Sequence, residues 1–150
     1  MKQMALMFLL FVAVVSMADY NDTVNGSQTA APEAQGIALN LTASGDLPGM
    51  SKLMLQRDGT NVTGGTWRLT VLPQNADASS SERGNLDGTV TGGTLTLNAE
   101  GTVSAASSVQ ITIQSGTGDY ASVSTGTATL NLSADAENPT QLTGTLVLSF

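Results

Sequence analysis

The sequence contains no cysteine and no histidine, and these two absences remove several classes of function. A chain without cysteine has no disulfide framework and no thiolate nucleophile. A chain without histidine lacks the commonest general base, and without either residue it lacks the usual zinc ligands. The sequence therefore singles out no catalytic residue and predicts no cofactor. We favour a protein that is not an enzyme.

Basic residues are also scarce, with five Lys and Arg against twelve Asp and Glu and a net charge of −7. This balance repels phosphate backbones and anionic membrane surfaces, so we expect no nucleic-acid partner. Thr, Ser and Gly are abundant, and apolar residues recur at alternate positions through most of the chain. This composition is typical of an all-β extracytoplasmic protein.

The one long apolar run lies at the N-terminus, where residues 4–15 follow Lys2 and precede the small residues Ser16 and Ala18. The run is too short to span a bilayer comfortably and is typical of a secretory signal. We therefore predict that residues 1–18 form a signal peptide. Cleavage before Asp19 would release a secreted or periplasmic protein that has no further contact with the membrane.

The region after the signal divides into two parts. Residues 19–35 show no apolar period, so we predict a flexible leader there, ordered only if it pairs onto a sheet. Residues 36–150 show period-two alternation without any helical period, which predicts a single β-barrel domain. We expect an all-β fold of about eight antiparallel strands closed into a barrel, with a β-sandwich as the alternative. The predicted core consists of Ile37, Leu39, Leu41, Leu53, Leu55, Trp67, Leu69, Val71, Leu86, Val90, Leu95, Leu97, Val109, Ile111, Ile113, Leu130, Leu132, Leu146 and Leu148.

Glycine pairs punctuate these strands and predict hairpins. Asp58-Gly59 and Gly64-Gly65 both carry hairpin signals, so the segment between them is either a short strand or a loop. The clearest hairpin signal is Gly92-Gly93, with Leu86 to Val90 running in and Leu95 to Leu97 running out. A Gly-Gly pair accepts positive φ at both central positions of a primed turn.

The segment Gly116-Thr117-Gly118-Asp119-Tyr120-Ala121 follows a β-branched strand and precedes Gly126-Thr127-Ala128-Thr129-Leu130. This arrangement resembles the glycine-aromatic signature of the allene oxide cyclase-like barrels, which dirigent proteins of plants and many bacterial secreted proteins share. The resemblance extends over about the last 65 residues and implies an eight-stranded antiparallel barrel with a central cavity.

The resemblance has limits. Ser115 and Ser122 stand where glycine is usual, and one extra residue separates Tyr120 from Gly126. None of the residues to which those families' activity is attributed matches a position here. The resemblance therefore implies a fold and no activity.

Two aromatic residues, Trp67 and Tyr120, are the candidates for contact with a ligand. They are the only aromatic residues inside the predicted strands and turns before Phe150. Either ring could line a cavity that holds a small apolar ligand. The alternative is that Trp67 fills the core and Tyr120 caps one end of the barrel.

Two loop segments carry oxygen ligands at a spacing that suits Ca²⁺. Asp58 and Asn61 form one pair, and Asp135 and Glu137 form the other. Neither segment matches a complete calcium loop, and acidic residues are common in turns. Each pair therefore has two interpretations, a metal site or the acidic residues of an ordinary turn.

The leading hypothesis is an exported, soluble, non-catalytic module that binds a small apolar ligand or a partner surface. A cavity enzyme of the cyclase or isomerase type is the first alternative, and a polar group inside the cavity would favour it. The predicted inward positions are aliphatic apart from Trp67 and a few glycines. Further alternatives are a structural or adhesive surface protein and a small outer-membrane barrel, since Phe150 ends a strand of alternating apolar residues.

Overall fold

The computed structural model describes residues 17–30, 36–74 and 81–150. Eight antiparallel strands pair in chain order in this part, and the eighth returns to the first, so the sheet closes into a barrel without edges. The predicted closed antiparallel barrel is confirmed. The strands are β1 (Asp19–Ala30), β2 (Gly36–Gly45), β3 (Gly49–Asp58), β4 (Asn61–Val71), β5 (Gly84–Thr94), β6 (Ser107–Gly116), β7 (Gly126–Ala134) and β8 (Leu142–Ser149), with a short 3₁₀ helix (Gly118–Tyr120) between β6 and β7.

The apolar residues that alternate along the strands point into the barrel and form one cluster. Every predicted core residue is buried except Leu97, which is half-buried and packs against the cluster. Period two therefore identified the inward face correctly on β2 to β8. The core also includes buried residues outside the predicted set: Val24, Ala43, Leu47, Val62, Val103, Tyr120, Ala128 and Leu142.

Residues 19–30 of the predicted leader, which we expected to be ordered only if they pair onto a sheet, form β1. This strand pairs with β2 on one side and β8 on the other, so the barrel domain begins at Asp19 and not at residue 36. Its inward positions mix apolar, polar and glycine residues, and therefore they show no apolar period. Backbone pairing with two neighbours holds the strand in place. Residues 31–35 and the predicted signal residues 1–16 lie outside the described part.

The hairpin predicted at Gly92-Gly93 is also wrong, because β5 continues through both glycines to Thr94 and pairs with β6. The register shifts between Val90 and Gly92, which leaves Thr91 as an extra residue in a β-bulge. Gly93 has a φ of 143°, and a Cβ there would overlap the carbonyl oxygen of Ser108. Glycine is needed here for close strand contact, and not for a turn.

The glycine pair Gly64-Gly65 lies within β4 in the same way, so it also forms no hairpin. The hairpin predicted at Asp58-Gly59 is confirmed, since β3 and β4 join there and Gly59 has a φ of 60°. The segment that follows it is a strand from Asn61 onward.

The two ends of the barrel are closed differently. At the end that we call the far end, residues 95–106 fold across the opening and bury Leu95 and Val103. The Gln28 side chain holds this segment, donating to the Gly101 carbonyl oxygen at 3.1 Å and accepting from the Val103 N–H at 3.0 Å. The opposite end, which we call the aromatic end, carries the β2–β3 turn, the 3₁₀ helix, the start of β1 and Phe150. Within the described ranges, no helix is long and apolar enough to cross a bilayer.

Candidate functional site

Three of the four aromatic side chains in the described residues meet at the aromatic end. The rings of Tyr20 and Phe150 are stacked, with 4.7 Å between centroids and 19° between planes. The Tyr120 ring stands edge-on to Phe150, with 6.2 Å between centroids and an angle of 87°. Tyr20 lies at the start of β1 and Phe150 directly follows β8, so the β1–β8 pairing that closes the barrel also brings their rings together. We call these three residues the aromatic cluster.

The glycine-rich string places Tyr120 in this cluster. The Tyr120 N–H donates to the Thr117 carbonyl oxygen at 3.0 Å, which forms the 3₁₀ turn. Gly118 has a φ of 60°, and a Cβ there would overlap the Arg83 carbonyl oxygen. The Asp119 N–H donates to the same carbonyl oxygen at 2.9 Å, which ties the turn to the residue before β5. The string that carries the family resemblance therefore serves to fold Tyr120 over the end of the barrel.

A cleft of about 700 Å³ borders the aromatic cluster. Its other walls are Met17, Asp119 and the segment from Ser122 to Thr125, where Val123 supplies a further apolar side chain. Rings and short hydroxyl side chains thus face the same space. This combination suits a small ligand that is mainly apolar and has some polar groups.

A buried carboxyl group lies at the same end of the barrel. Asp22 occupies an inward position of β1 and is only 3 % exposed. Its Oδ1 accepts the Leu47 N–H at 2.9 Å, which holds the β2–β3 turn and places Leu47 over the barrel end. Burial raises the pKa of Asp22; the N–H groups of Leu47 and Asp46 oppose this shift, and the Asp46 charge adds to it. Asp22 Oδ2 receives no hydrogen bond from the described residues.

The Tyr120 hydroxyl is the second buried polar group at this end. Tyr120 is 7 % exposed, and its oxygen also has no hydrogen-bond partner in the part of the chain that the structure describes. Burial raises the pKa of this hydroxyl, while the nearby Arg83 cation lowers it. The charges of Asp119, Tyr20 and Asp22 raise the pKa of the hydroxyl further.

The charges around the aromatic end are mainly negative. Arg83 is the one basic residue among the described segments that form this end, and it is paired with Asp119 at 3.0 Å from Nε to Oδ2. Its guanidinium lies 5.8 Å from the centroid of the Tyr120 ring. The acidic residues of this end are Asp19, Asp22, Asp46, Glu82 and Asp119. The potential at this end therefore favours cations over anions.

The structure separates the two predicted ligand-contacting residues. Tyr120 lines the cleft, whereas Trp67 is 2 % exposed and lies in the core on β4. The Trp67 Nε1–H donates to Ser51 Oγ at 2.9 Å, so its polar atom is satisfied inside the barrel. Trp67 therefore occupies the core position that the alternative interpretation described.

The four candidate metal ligands lie at the far end and in two separate turns. Asp58 and Asn61 are exposed partners across the β3–β4 turn. Asp135 Oδ1 accepts the N–H groups of Glu137 and Asn138, each at 2.9 Å, so this carboxylate stabilises its own turn. No group of three or more acidic side chains suited to a metal ion occurs within residues 17–30, 36–74 and 81–150.

Other clefts lie on the outer wall and at the far end of the barrel, and those of the described residues do not bring aromatic rings together. One of them, also about 700 Å³, crosses β2 to β5 around the ion pair of Arg68 Nε and Asp87 Oδ1 at 2.6 Å, with Trp67 among its lining residues. Its outward walls are mainly Thr, Asn and Gln side chains, with Lys52 and Met54 beside the ion pair. These side chains are exposed and flexible, which makes this wall a poorer binding surface than the aromatic end.

Comparisons of the chain with protein-family models, with curated proteins and with solved structures find no match. The function is therefore argued from the site. Sequence reasoning missed three members of it: Tyr20, Asp22 and Phe150. The available signal was the inward series of Tyr20, Asp22 and Val24 at alternate positions, but the polar residue in the middle concealed the strand.

Proposed function

We propose that the protein is an exported, non-catalytic barrel that binds a small, largely apolar ligand at its aromatic end. The observation that supports this is the cleft bordered by the Tyr20, Tyr120 and Phe150 rings. Aromatic side chains offer a large, rigid apolar surface at a low entropic cost, and here stacking already fixes two of them. The cleft over β2 to β5 has Trp67 as its single aromatic lining residue, and that side chain is buried in the core.

The packing of the barrel interior favours the end over the centre as the binding position. The inward aliphatic side chains belong to one continuous cluster that includes Trp67. A cyclase-type or isomerase-type enzyme would need an internal cavity in which to enclose a reactive intermediate. The interior therefore supports a binding role more than the enzyme alternative.

The outer wall supports an exported protein that is surrounded by water. Outward strand positions carry mostly Thr, Ser, Asn and Gln, and among the described strands only Met50, Met54 and Val147 are exposed large apolar residues. A barrel in a membrane needs a continuous apolar belt on this face. We also propose that the chain belongs to the allene oxide cyclase-like barrels. The eight-stranded closed barrel and the glycine-rich string that positions Tyr120 support this proposal.

The predicted signal cleavage would open the cleft further. Met17 forms one wall of the cleft and is 44 % exposed, and Ala18 pairs with Phe150 through two backbone hydrogen bonds of 3.1 and 3.2 Å. Cleavage before Asp19 removes both residues. The exported protein, and not its precursor, is therefore the form in which binding is measured.

Calorimetric titration of the exported protein with 2-phenylethanol, a small neutral aromatic probe, tests this function. Tyr20→Ala removes one ring of the stacked pair and should weaken binding about two- to tenfold, the range that aromatic contacts give. Val147→Ala, an exposed change on the outer face of β8, is the control and should leave affinity unchanged. Absence of probe binding, or equal affinity in both variants, would show that the aromatic end is not the site.

A further inference from the structure

Two inward polar atoms at the aromatic end, Asp22 Oδ2 and the Tyr120 hydroxyl oxygen, lack partners among the described residues, as does Asn85 Oδ1 on the outer face of β5 at the same end. Folded proteins satisfy most buried polar atoms, because each unpaired one loses its hydration without compensation. A carboxylate oxygen is the more costly of the two, since it carries charge. Two such atoms at one end of a small barrel require an explanation.

Tyr120 lines the cleft, and Asp22 is connected to it through its neighbour on the inward face of β1. The Tyr120 ring forms part of the wall, while its hydroxyl is buried. Tyr20, another wall residue, precedes Asp22 by one inward step on β1, which corresponds to about 7 Å along the strand. The Tyr20 and Tyr120 side chains therefore stand between the cleft and the two unpaired oxygens, and a ligand group that passes between these side chains would meet both oxygens.

The chemistry of this end selects one type of ligand group. An ionised carboxylate only accepts hydrogen bonds, and a tyrosine hydroxyl can accept one as well. The faces of aromatic rings attract cations. The surrounding carboxylates repel anions, and Arg83 is held by Asp119, so it does not neutralise Asp22. A neutral apolar ligand would pack against the rings and leave Asp22 Oδ2 without a hydrogen bond.

We propose that the ligand of the aromatic end is an organic ammonium, a protonated amine attached to an aromatic or aliphatic body. The body packs against Tyr20 and Phe150, and the ammonium donates hydrogen bonds to Asp22 Oδ2 and the Tyr120 oxygen. This inference rests on the proposed function, because it uses the same cleft. It adds the charge of the ligand and the residue that recognises it.

A matched pair of probes separates this inference from the proposed function. Phenethylamine and 2-phenylethanol share a body and differ in the ammonium group, and both are titrated calorimetrically into the exported protein. The amine should bind at least about tenfold more tightly, as expected for a charge-assisted hydrogen bond. Binding of the alcohol with no preference for the amine would overturn the inference and leave the proposed function standing. If neither probe binds, both fail.

Variants then test which residue recognises the positive charge of the ligand. Asp22→Asn keeps the shape and an oxygen for the Leu47 N–H, and it should abolish the preference for the amine while changing alcohol affinity less than about twofold. Tyr120→Phe keeps the ring and should weaken only the amine. Glu82→Gln makes the same change in net charge at an exposed position of the same end and is the control. An equal loss of both probes in Asp22→Asn, or an equal effect of Glu82→Gln, would overturn the inference.

Discussion

At the scale of single residues, Asp22 is the most informative position in the molecule. One carboxylate oxygen holds the β2–β3 turn through the Leu47 N–H, and the other is buried without a partner in the described residues. The first contact is structural and closes the end of the barrel. The second leaves an acceptor next to the aromatic cluster. A single inward side chain therefore connects the closure of the fold to the candidate site.

The pH dependence of stability should reveal this burial. Burial raises the pKa of Asp22 above the value of 3.8 for an exposed aspartate, so the folded protein binds this proton more tightly than the unfolded chain. The stability that results is complete below pH 3.8 and is lost as the pH rises through the raised pKa. Asp22→Asn has no such loss. Without ligand, it should therefore melt at a higher temperature than the wild type at pH 7, by about 2–4 °C for each kcal/mol gained.

Thermal unfolding of both proteins between pH 3 and pH 8 checks this prediction. The difference between the two proteins isolates the contribution of Asp22 from those of the neighbouring side chains, which include Asp46 and Tyr120. The advantage of Asp22→Asn should shrink toward acidic pH. A difference in melting temperature that stays constant from pH 3 to pH 8 would show that burial does not raise the pKa of Asp22.

At the scale of strands, the glycine pairs show how close contact between neighbours shapes the barrel. Gly92 and Gly93 are adjacent in sequence and have different surroundings. A Cβ at Gly92 would meet no atom within 4 Å, whereas one at Gly93 would overlap the Ser108 carbonyl oxygen of β6. The pair belongs to a bulged strand in which only one member must be glycine.

This difference predicts unequal effects of the same substitution. Gly93→Ala should destabilise the protein by about 2 kcal/mol or more, because the positive φ and the overlap both oppose a side chain. Gly92→Ala should change stability by less than about 1 kcal/mol. Urea unfolding measures both free energies. Similar losses in the two variants would instead match a primed hairpin, in which both positions need positive φ.

The strands also show which parts of the fold sequence reasoning reaches. On β2 to β8 the apolar side chains alternate cleanly, so the core and the barrel class follow from period two. On β1 the inward positions are Tyr20, Asp22, Val24, Gly26 and Gln28, and no alternation predicts a strand. Gln28 and Asp22 face inward because they bind the loops that close the two ends. The alternation of residues along β1 does not show which loops the side chains of this strand bind in the folded protein.

The candidate site was predictable only in part for the same reason. Tyr120 was identified from its aromatic character and from the glycine string around it. Tyr20 and Phe150 lie 130 positions apart in the numbering and become neighbours only when β8 pairs with β1. Asp22 becomes buried through the same closure. The members of the site that were missed are those that depend on the longest contact in the fold.

At the scale of the whole molecule, the barrel has a polar wall, one plugged end and one aromatic end. The far end is closed by the segment that Gln28 holds, and the wall exposes mainly hydroxyl and amide side chains. The aromatic end combines rings, buried unpaired oxygens and excess negative charge. This asymmetry is the basis for placing binding at one end of the barrel.

Chemical-shift mapping during a titration of the ¹⁵N-labelled exported protein with 2-phenylethanol tests that placement most directly. We expect the largest shifts at Tyr20, Tyr120, Val123 and Phe150, with little change at the outer-wall residues around Arg68. Shifts concentrated on the outer wall, or on core residues around Trp67, would contradict it.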